Sequence, residues 1–256
     1  MEKLSVVIIT LNEAADIARA VRSVHGLADE VVVVDSGSTD GTQRIAQEAG
    51  ARVVHRDFSG YGEQKHFASE QAANPWVLNI DADEHPSEEL KASIRRILEQ
   101  PQHGAYTMNV LTSYCGRYIR HCGWYPNRKL RLWDRRRGAM SMDKLHEGWR
   151  PAAGATTGHL QGDLLHEGFP TIDSHMERII RYSEIGARFD LARGKRTGLL
   201  KLLLGPAWVF FTMYVLRGGF RDGLPGYLVC RTSATAAFVK YAKIRLYARQ
   251  AEAPRQ

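Results

Sequence analysis

The sequence predicts an α/β fold with a mostly parallel, doubly wound sheet, and three observations support this prediction. Short apolar runs rich in Val and Ile alternate with amphipathic segments through roughly the first 100 residues. The connections between them are short, as in right-handed β-α-β crossovers. Polar and acidic residues directly follow three of the apolar runs. Because parallel strands end at one edge of a sheet, and ligands bind there, that edge is the predicted functional site.

The predicted strands and helices follow one another in a regular order. Residues 5–10 form an unbroken β-branched run, typical of a strand buried on both faces. Asn12 is placed to cap the next helix, in which apolar residues recur at helical spacing up to Leu27. The same reasoning predicts further strands at 30–34, 52–55, 76–80, 129–133 and 162–165, and further helices ending at Ala49 and covering 62–73, 87–100 and 173–193.

Composition narrows the class of protein. The chain of 256 residues is 44% hydrophobic and 25% charged, which supports a sizeable core and excludes collagen-like, low-complexity and wholly disordered proteins. Three cysteines are too few for a disulfide scaffold, and their odd number favours a reducing compartment. The first residues lack the basic region and the length of a signal peptide, so we expect the chain to begin folding in the cytosol.

Positive charge is concentrated in the last third of the chain. Residues 1–170 contain 20 Lys and Arg against 22 Asp and Glu, whereas residues 171–256 contain 15 against 6. Within that basic region, residues 199–216 are apolar except for Lys201, and Gly205-Pro206 predicts a bend. Basic flanks at both ends and internal aromatic residues favour a segment lying in a membrane interface over a buried core helix or a membrane span. Nucleic-acid binding is not expected. Surfaces that stack nucleic-acid bases interleave aromatic and basic residues, whereas here the aromatic residues are gathered in an apolar block.

Asp81 and Asp83 form the most specific local motif. They directly follow the apolar run 76–80, so both carboxylates can reach one hard cation at the end of a strand. Mg²⁺ or Mn²⁺ is held by one or two carboxylates together with substrate phosphates, and stabilises charge on a departing phosphate. A solvated turn is the alternative, but Asp35 ends a neighbouring strand at the same edge. Neither a dinucleotide-binding glycine motif nor a P-loop motif occurs in the sequence.

Three motifs, in this order, resemble those of glycosyltransferase family 2. They are SVVIITLNE at residues 5–13, VDSGSTDGT at residues 34–42 and WVLNIDADE at residues 76–84. Later segments resemble the branch of that family that contains lipopolysaccharide core β-glucosyltransferases, and these segments are residues 124–132, 145–148 and 218–226.

The resemblance implies a GT-A fold, which is Rossmann-like. The basic and apolar composition of the last third of the chain adds the expectation of a C-terminal helical extension that associates with the membrane. The catalytic domain would cover residues 1–170, with a nucleotide-sugar half at about 1–100 and an acceptor half at about 101–170. Residues 171–256 would form the basic extension. The implied reaction is inverting transfer from a UDP-sugar by in-line displacement, with one protein carboxylate as general base and Mg²⁺ or Mn²⁺ on the diphosphate.

The resemblance also implies roles for individual residues of the nucleotide-sugar half. Ser36 stands where many members carry a second acid, which removes one candidate uridine contact but leaves Ser36 in the candidate set. Asp81 would lie near the ribose and the metal, and Asp83 directly on the metal. Lys65 would lie near the base or the phosphates. The uridine would be held by Thr10, Asn12, Glu13 and Asp35.

The general base is expected from the second half, because the first is committed to nucleotide and metal. The loop at residues 141–147 supplies two carboxylates, Asp143 and Glu147, and a carboxylate within hydrogen-bond reach can take the proton of an acceptor hydroxyl. The resemblance places the base at Glu147, with Asp143 as the alternative. His166 is either a third metal ligand, as in related transferases, or a structural histidine. Arg131 is a candidate contact to diphosphate or acceptor.

The predicted function is a hexosyltransferase, moving a sugar, glucose by resemblance, from a UDP-sugar to a lipid-linked saccharide. Lipopolysaccharide inner core is the first choice of acceptor and polyprenyl phosphate the second. The expected location is the cytoplasmic face of the inner membrane, with peripheral or monotopic attachment to an anionic surface. A nucleotidyltransferase is the alternative enzyme class, and an inactive membrane-surface scaffold is the alternative without catalysis.

Overall fold

The computed structural model describes residues 1–140 and 149–252 of the chain. Every predicted strand and helix is present, whereas the strand Ala105–Tyr114 and the helix Gly223–Glu252 were not predicted. In chain order the strands and helices are β1 (Leu4–Thr10), α1 (Ile17–Ser23), β2 (Glu30–Asp35), α2 (Thr42–Glu48), β3 (Arg52–His55), α3 (Tyr61–Gln71), β4 (Trp76–Asp81), β5 (Glu84–Pro86), α4 (Glu88–Glu99), β6 (Ala105–Tyr114), β7 (Arg117–Tyr118), β8 (Asn127–Asp134), β9 (Gly138–Met140), β10 (Trp149–Pro151), β11 (Thr157–Phe169), α5 (Ile172–Ala192), α6 (Leu199–Phe211) and α7 (Gly223–Glu252).

The main sheet is mixed, with a parallel part formed by the first strands. Its order is β3-β2-β1-β4-β8-β6-β11-β5. Strand β1 pairs in parallel with both β2 and β4, and β2 pairs in parallel with β3. Strands β1, β2 and β3 are each followed by a helix, which accounts for the parallel pairing through crossover connections. Strands β8, β6 and β5 add antiparallel pairings. The predicted α/β, GT-A-like fold is confirmed.

Alternate side chains of the parallel strands fill apolar layers on the two faces of the sheet. Val6 and Ile8 belong to the layer that α1, α2 and α4 cover, whereas Val7 belongs to the layer that α3 covers. Full burial of a Val or Ile side chain contributes roughly 1.5–3 kcal/mol, so covering both faces stabilises these strands strongly. Burial on both faces also explains why their sequences are continuous apolar runs.

The loop after β1 differs from the prediction. Asn12 does not cap α1, which begins at Ile17 after Asp16. Instead Asn12 has a positive φ of 56°, a conformation that asparagine tolerates better than most residues. Its side chain accepts a hydrogen bond from the backbone of Thr39 in the loop after β2 (2.9 Å). A polar residue that precedes a helix can therefore form its hydrogen bond with a neighbouring loop instead of capping the helix.

Arg131 lies at an irregularity in strand β8. Tyr106 of β6 pairs with Leu132, but the next residue, Thr107, pairs with Leu130, so Arg131 is an extra residue without an opposite partner on β6. Such a β-bulge re-aims a side chain and is common next to active sites. The bulge explains how the side chain of an arginine in an apolar strand can contact residues at the edge of the sheet.

The chain divides into two compact units. The described residues of Met1–Leu111 and Asn127–His166 form the first unit, and those of Thr112–Pro126 and Glu167–Gln256 form the second. The boundary near Glu167 lies close to the predicted one at residue 170. The short segment 112–126, expected in the acceptor half, belongs instead to the C-terminal unit.

The second unit has its own small core. Helices α5 and α6 pack against α7, and Tyr114, Ile119, Cys122, Val229 and Cys230 are buried together. All three cysteines of the chain are free thiols.

The apolar segment Leu199–Leu216 lies on the surface of this unit. It is long and apolar enough to cross a membrane by length and composition, and none of its residues is buried. The alternative of a buried core helix is therefore wrong. The helix is not interrupted at Gly205-Pro206, since α6 continues through Pro206 to Phe211 and is followed by a π-helical turn, Thr212–Leu216. The bend expected at this position stays a prediction. Gly205 allows close packing, because a Cβ there would lie 2.7 Å from the Tyr241 ring.

Candidate active site

The carboxyl ends of β1, β2 and β4 bring the predicted site residues to one edge of the sheet. Thr10 is in register with Asp35, and Ile9 with Asp81. Because all three strands are parallel, the loops that follow them leave the sheet on the same side. The arrangement expected from the polar ends of the strands is therefore present in the structure.

The loops after β1 and β2 are tied together by hydrogen bonds. The Asn12 backbone donates to Ser38 Oγ (2.8 Å), and the Thr39 backbone donates to Asn12 Oδ1 (2.9 Å). The Glu13 backbone donates to Thr42 Oγ1 (2.9 Å). These bonds hold the two loops as one surface, so the residues expected around the uridine are presented together.

Asp35 organises the second of these loops from within. It is fully buried, and its carboxylate accepts hydrogen bonds from the backbones of Gly37 and Ser38 (2.9 Å each), from Ser38 Oγ (2.5 Å) and from Gln43 Nε2 (2.6 Å). Burial raises the pKa of Asp35, but these hydrogen bonds outweigh it and hold the pKa below its ordinary value. The Thr10 hydroxyl nearby is buried and has no partner among the described residues.

Helix α3 supplies two further residues to this edge. Gln64 is fully buried and donates from Nε2 to Ser36 Oγ (3.0 Å), which positions the predicted nucleotide-sugar contact Ser36. The next residue, Lys65, extends its ammonium to within 3.5 Å of Asp81 Oδ1. Adjacent positions on α3 thus reach the ends of both β2 and β4.

Asp81 belongs to a buried charge cluster around Arg131. The Arg131 guanidinium donates to Asn79 Oδ1 (3.0 Å), Asp81 Oδ2 (2.7 Å) and Glu84 Oε1 (2.8 Å). Burial raises the pKa of Asp81, but attraction to Arg131 and Lys65 outweighs it and holds the pKa well below its ordinary value. Asp81 is therefore ionised and held by two cations.

Asp83 lies outside that cluster and contacts His166. The strand β11 brings this histidine into place, since His166 is in register with Glu84 of β5. Asp83 Oδ2 and His166 Nε2 are 3.1 Å apart, and the side chains are 24% and 21% exposed. Burial lowers the pKa of His166, but the hydrogen bond and the negative charge of Asp83 outweigh it, so the pKa is raised. This pair reaches solvent at the edge of the sheet.

The donor set of Asp83 and His166 fits a divalent cation that is completed by substrate oxygens. A carboxylate and an imidazole are both ligands of Mn²⁺-type ions. Within residues 1–140 and 149–252, no three His, Cys, Asp or Glu side chains are grouped to hold a metal alone. Two protein ligands match sites at which phosphates supply the remaining oxygens. Asp81 is less suited as a direct ligand, because Oδ2 already accepts from Arg131 and Oδ1 lies 3.5 Å from the Lys65 ammonium.

The two candidate bases, Asp143 and Glu147, lie outside the described residues, so their expected role stays a prediction. Two residues of the cluster received no role from the sequence. Glu84 directly follows the acidic pair, and Asn79 is a polar residue within the apolar strand β4. A polar side chain inside an otherwise apolar strand is the signal that would have identified Asn79 as part of the site.

Comparisons with known proteins identify the family. The model of the family described as "Glycosyl transferase family 2" matches residues 5–156. The lipopolysaccharide core biosynthesis glycosyltransferase LpsC of Rhizobium meliloti (strain 1021) is 35% identical over 254 residues, which cover 94% of this chain and 91% of that protein. An uncharacterized glycosyltransferase of Rickettsia prowazekii (strain Madrid E) is 32% identical over 255 residues, which cover 96% and 87%.

Among solved structures, a partial likeness is found to glucosyl-3-phosphoglycerate synthase of Mycobacterium tuberculosis. That protein was crystallised with Mn²⁺, UDP-glucose and phosphoglyceric acid. The match has a TM-score of 0.37 and 29% identity, and it covers 43% of this chain and 44% of that one. The family match over more than half of the chain, and the relatives that align over nearly all of it, agree with the fold and with the three motifs at the edge of the sheet. The chain is a glycosyltransferase and belongs to glycosyltransferase family 2.

Proposed function

We propose that this glycosyltransferase transfers a hexose, with inversion, from a UDP-sugar to a lipid-linked saccharide, and that the acceptor is the lipopolysaccharide inner core. The observation that carries the proposal is the edge of the sheet, where Asp83 and His166 reach solvent beside Asp81, Lys65 and Arg131. A nucleoside diphosphate needs cationic and metal-binding groups of this kind around its phosphates. The choice of acceptor is supported by the similarity to LpsC over 94% of the chain.

In the proposed reaction an acceptor hydroxyl oxygen forms a bond to the anomeric carbon, while the bond from that carbon to the diphosphate oxygen breaks. A bound Mg²⁺ or Mn²⁺, held by Asp83 and His166, would neutralise charge on the diphosphate. Lys65 lies beside Asp81, where its ammonium can contact phosphate or ribose once substrate is bound. The acceptor proton goes to a carboxylate, for which we propose Glu147, with Asp143 as the alternative.

Asp81 would act mainly through position. Its carboxylate is held by Arg131 from the core side and faces Lys65 on the other, with 36% of the side chain exposed. That exposure lets it accept a hydrogen bond from a ribose hydroxyl, while the buried Arg131 prevents it from moving. We propose that Thr10, Asn12, Glu13 and Ser36 line the uridine side of the site. Asp35 would contribute by shaping the loop on which Ser36 lies.

The acceptor half would lie within residues 101–170, and the helical extension within 171–256 would hold the enzyme at the cytoplasmic face of the inner membrane. The exposed segment Leu199–Leu216 supports this peripheral or monotopic attachment. Basic residues that precede this segment, among them Lys195 and Arg196, would meet anionic headgroups, each contributing about 1 kcal/mol near the surface. Attachment would place the active site at the height of a lipid-linked acceptor.

The proposed function is tested by measuring UDP release from a panel of UDP-sugars, with and without Mn²⁺, in the presence of rough lipopolysaccharide. We expect release to depend on one UDP-sugar, on the metal and on the acceptor, with a sugar added to the lipopolysaccharide by mass spectrometry. If the sugar is transferred to polyprenyl phosphate instead, the proposed acceptor is wrong and polyprenyl phosphate takes its place. Release of pyrophosphate from a sugar phosphate and a nucleoside triphosphate would indicate a nucleotidyltransferase. Absence of turnover with every donor would favour an inactive scaffold.

The general base is tested by amide substitution. Glu147→Gln keeps the shape of the side chain but removes its ability to accept a proton. We expect kcat to fall by about 10²-fold or more, while UDP affinity, measured by calorimetry, stays within about threefold of wild type. Asp143→Asn is the matched control and is expected to retain most activity. If Asp143→Asn shows the loss and Glu147→Gln does not, the base is Asp143.

A further inference from the structure

A group of arginines in the second unit faces solvent without a carboxylate partner. Arg117, Arg217 and Arg221 are exposed and form no ion pair with the described residues. They come from two segments, 112–126 and 212–226, that contain four arginines and one acid, Asp222. Isolated surface arginines are ordinary, but these three come from two segments that are far apart in the sequence.

The backbone holds these two segments together. The Cys122 backbone donates to the Arg217 carbonyl (3.2 Å), and the His121 backbone donates to Asp222 Oδ2 (2.8 Å). The side chain of Arg217 lies across Gly123, since a Cβ at that glycine would be 2.7 Å from Arg217 Cδ. The arginine on one segment therefore covers the other segment directly.

The remaining two arginines lie around the same turn. A Cβ on Gly218 would be 3.2 Å from Arg221 Cδ and 3.6 Å from His121 Cδ2, so Arg221 and His121 flank one glycine. The Arg117 guanidinium lies in front of Gly223, with Nη1 3.9 Å from the position of a Cβ there. We call Arg117, Arg217, Arg221 and His121 the arginine turn.

The turn is rigid because its glycines are packed against the core. A Cβ on Gly219 would lie 2.7 Å from Cys230 Sγ and 2.9 Å from Cys122 Sγ. A Cβ on Gly226 would collide with the Gly219 carbonyl oxygen. A side chain larger than that of glycine would therefore clash at both positions. The short 3₁₀ helix Gly219–Asp222 packs closely against the buried thiols. A fixed backbone keeps the guanidinium groups together.

The negative groups nearby are already engaged. Asp222 is buried and accepts from His121 Nδ1 (2.8 Å), while Glu167 accepts from the Tyr118 hydroxyl (2.8 Å). Because a carboxylate only accepts, His121 donates from Nδ1 to Asp222. Within the described part of the chain, no ion pair joins the three guanidinium groups to a carboxylate, and the His121 imidazole lies beside Arg221. Planar guanidinium groups bind phosphate oxygens in pairs, so this chemistry suits a phosphate group.

Exposed apolar side chains surround the arginine turn. Leu216, Phe220 and Leu224 are 62%, 54% and 69% exposed, and they alternate with the arginines along the chain. A soluble phosphate ligand gives no reason for this apolar surface, but an amphiphile whose phosphate lies at a membrane surface does. We propose that the arginine turn binds a phosphate monoester carried by a membrane amphiphile. Resting on the proposed function, we assign it to the phosphate of the lipid-linked acceptor rather than to bulk headgroups.

The choice of acceptor over bulk lipid follows from the construction of the site. Diffuse attraction to anionic headgroups requires only flexible cations, each contributing about 1 kcal/mol. Here the buried positions Gly219, Asp222 and Gly226 fix the backbone of the turn that carries Arg217 and Arg221. Such preorganisation reduces the entropy lost on binding and favours a defined ligand. A phosphate monoester carries nearly two charges at neutral pH, which three arginines can match.

The test measures binding of the full-length protein to phosphatidylcholine vesicles that contain either phosphatidic acid or phosphatidylglycerol, at matched surface charge. We expect wild type to prefer phosphatidic acid, which has a monoester. The variant Arg117→Gln/Arg217→Gln/Arg221→Gln is expected to lose about tenfold in affinity for those vesicles. The control Arg181→Gln/Arg193→Gln/Arg249→Gln changes the same charge elsewhere on the unit and is expected to lose about twofold or less. Circular dichroism checks that each variant is folded.

Two results would overturn the site. The first is equal loss in the two triple variants, and the second is equal binding of wild type to the two kinds of vesicle, since both would mean diffuse attraction. A second arm uses vesicles with rough lipopolysaccharide before and after phosphatase treatment. Lost arginine-dependent binding after treatment supports the acceptor phosphate. Unchanged binding would mean that the turn binds headgroup phosphate, and it would overturn the assignment to the acceptor phosphate. The proposed function is tested separately, by measuring sugar transfer by the wild-type enzyme.

Discussion

Arg131 is buried behind the edge of the sheet and is surrounded by charged and polar side chains, although it lies in an apolar strand. Its guanidinium contacts Asn79, Asp81 and Glu84, and it is 8% exposed. Burying these charges costs free energy that their mutual attraction offsets only while all partners are present. Burial raises the pKa of Glu84, and attraction to Arg131 opposes this effect only in part. The cluster therefore holds Asp81 in place for the proposed nucleotide contact.

Removal of Arg131 should expose this dependence. Arg131→Met preserves most of the volume but leaves Glu84 and Asp81 without their buried partner. We expect the free energy of unfolding, measured by urea titration, to fall by about 3–5 kcal/mol. Arg128→Met, on the exposed part of the same strand, is the control and should change it by less than about 0.5 kcal/mol. Similar values for the two variants would show that the cluster does not contribute to stability.

Asp83 should matter for metal-dependent turnover rather than for folding. Asp83→Asn removes the charge of the proposed ligand while keeping its size, so Mn²⁺-dependent UDP release should fall by about 10²-fold or more. Binding of Mn²⁺ together with UDP, followed by electron paramagnetic resonance, should weaken as well. The control Asp57→Asn alters a fully exposed carboxylate and should leave both readouts unchanged. Near-normal turnover of Asp83→Asn in the presence of EDTA would contradict the metal-dependent mechanism.

At the scale of elements, a buried histidine packs helix α5 against the rest of the second unit. His175 is 7% exposed and packs against the rings of Tyr114, Trp124 and Phe169. Burial, with a smaller contribution from Arg178, lowers the pKa of His175 from 6.5 to about 4. A neutral imidazole is therefore part of the packing of α5 at neutral pH.

The lowered pKa predicts how stability depends on pH. Above about pH 6.5 the imidazole is neutral in both states and has no effect. As the pH falls from 6.5 towards 4, the unfolded chain binds the proton more readily, so the free energy of unfolding decreases by up to about 3 kcal/mol. Comparing urea unfolding of wild type and His175→Gln across this range isolates the effect. The difference between the two proteins should shrink as the pH falls, and a constant difference would refute the assignment.

At the scale of the whole molecule, the chain combines a compact unit that contains the candidate active site with a helical unit that exposes apolar surface. In α6, Leu200, Leu203, Leu204 and Trp208 are 60–75% exposed, with values of 75%, 60%, 63% and 63%. An exposed apolar surface of this kind marks an interaction site, and basic residues at both ends point to an anionic membrane. Because α6 packs against α7, deleting the C-terminal region would disrupt the second unit, and point substitutions are the better probe.

The variant Leu200→Gln/Leu203→Gln/Leu204→Gln should separate membrane binding from folding. Each leucine contributes roughly 1.5–3 kcal/mol if it is fully buried in the interface, so sedimentation with anionic vesicles should drop by more than about tenfold in partition coefficient. Ile180→Gln/Ile185→Gln on α5, with 59% and 57% exposure, is the control and should bind like wild type. If intact wild type stays in the supernatant at low salt, the proposed attachment is wrong.

The sequence alone determined the parallel strands, the order of helices and the edge at which the site residues meet. This was possible because burial on both faces requires continuous apolar runs, and the polar ends of those runs need no knowledge of distant contacts. Residues 5–10 and 76–80, with Asp81 and Asp83 behind them, show this directly. The family motifs carry the same local information.

The tertiary structure decided which partners each polar group has. The bulge at Arg131 and its contact with Glu84 depend on pairing between strands far apart in sequence, which no periodicity reports. Asn12 bonds to the neighbouring loop instead of capping its own helix for the same reason. The arginine turn joins residues about 100 positions apart, through Asp222 and His121. Local patterns predict elements because they reflect burial, whereas the identity of a buried polar partner is set by chain topology.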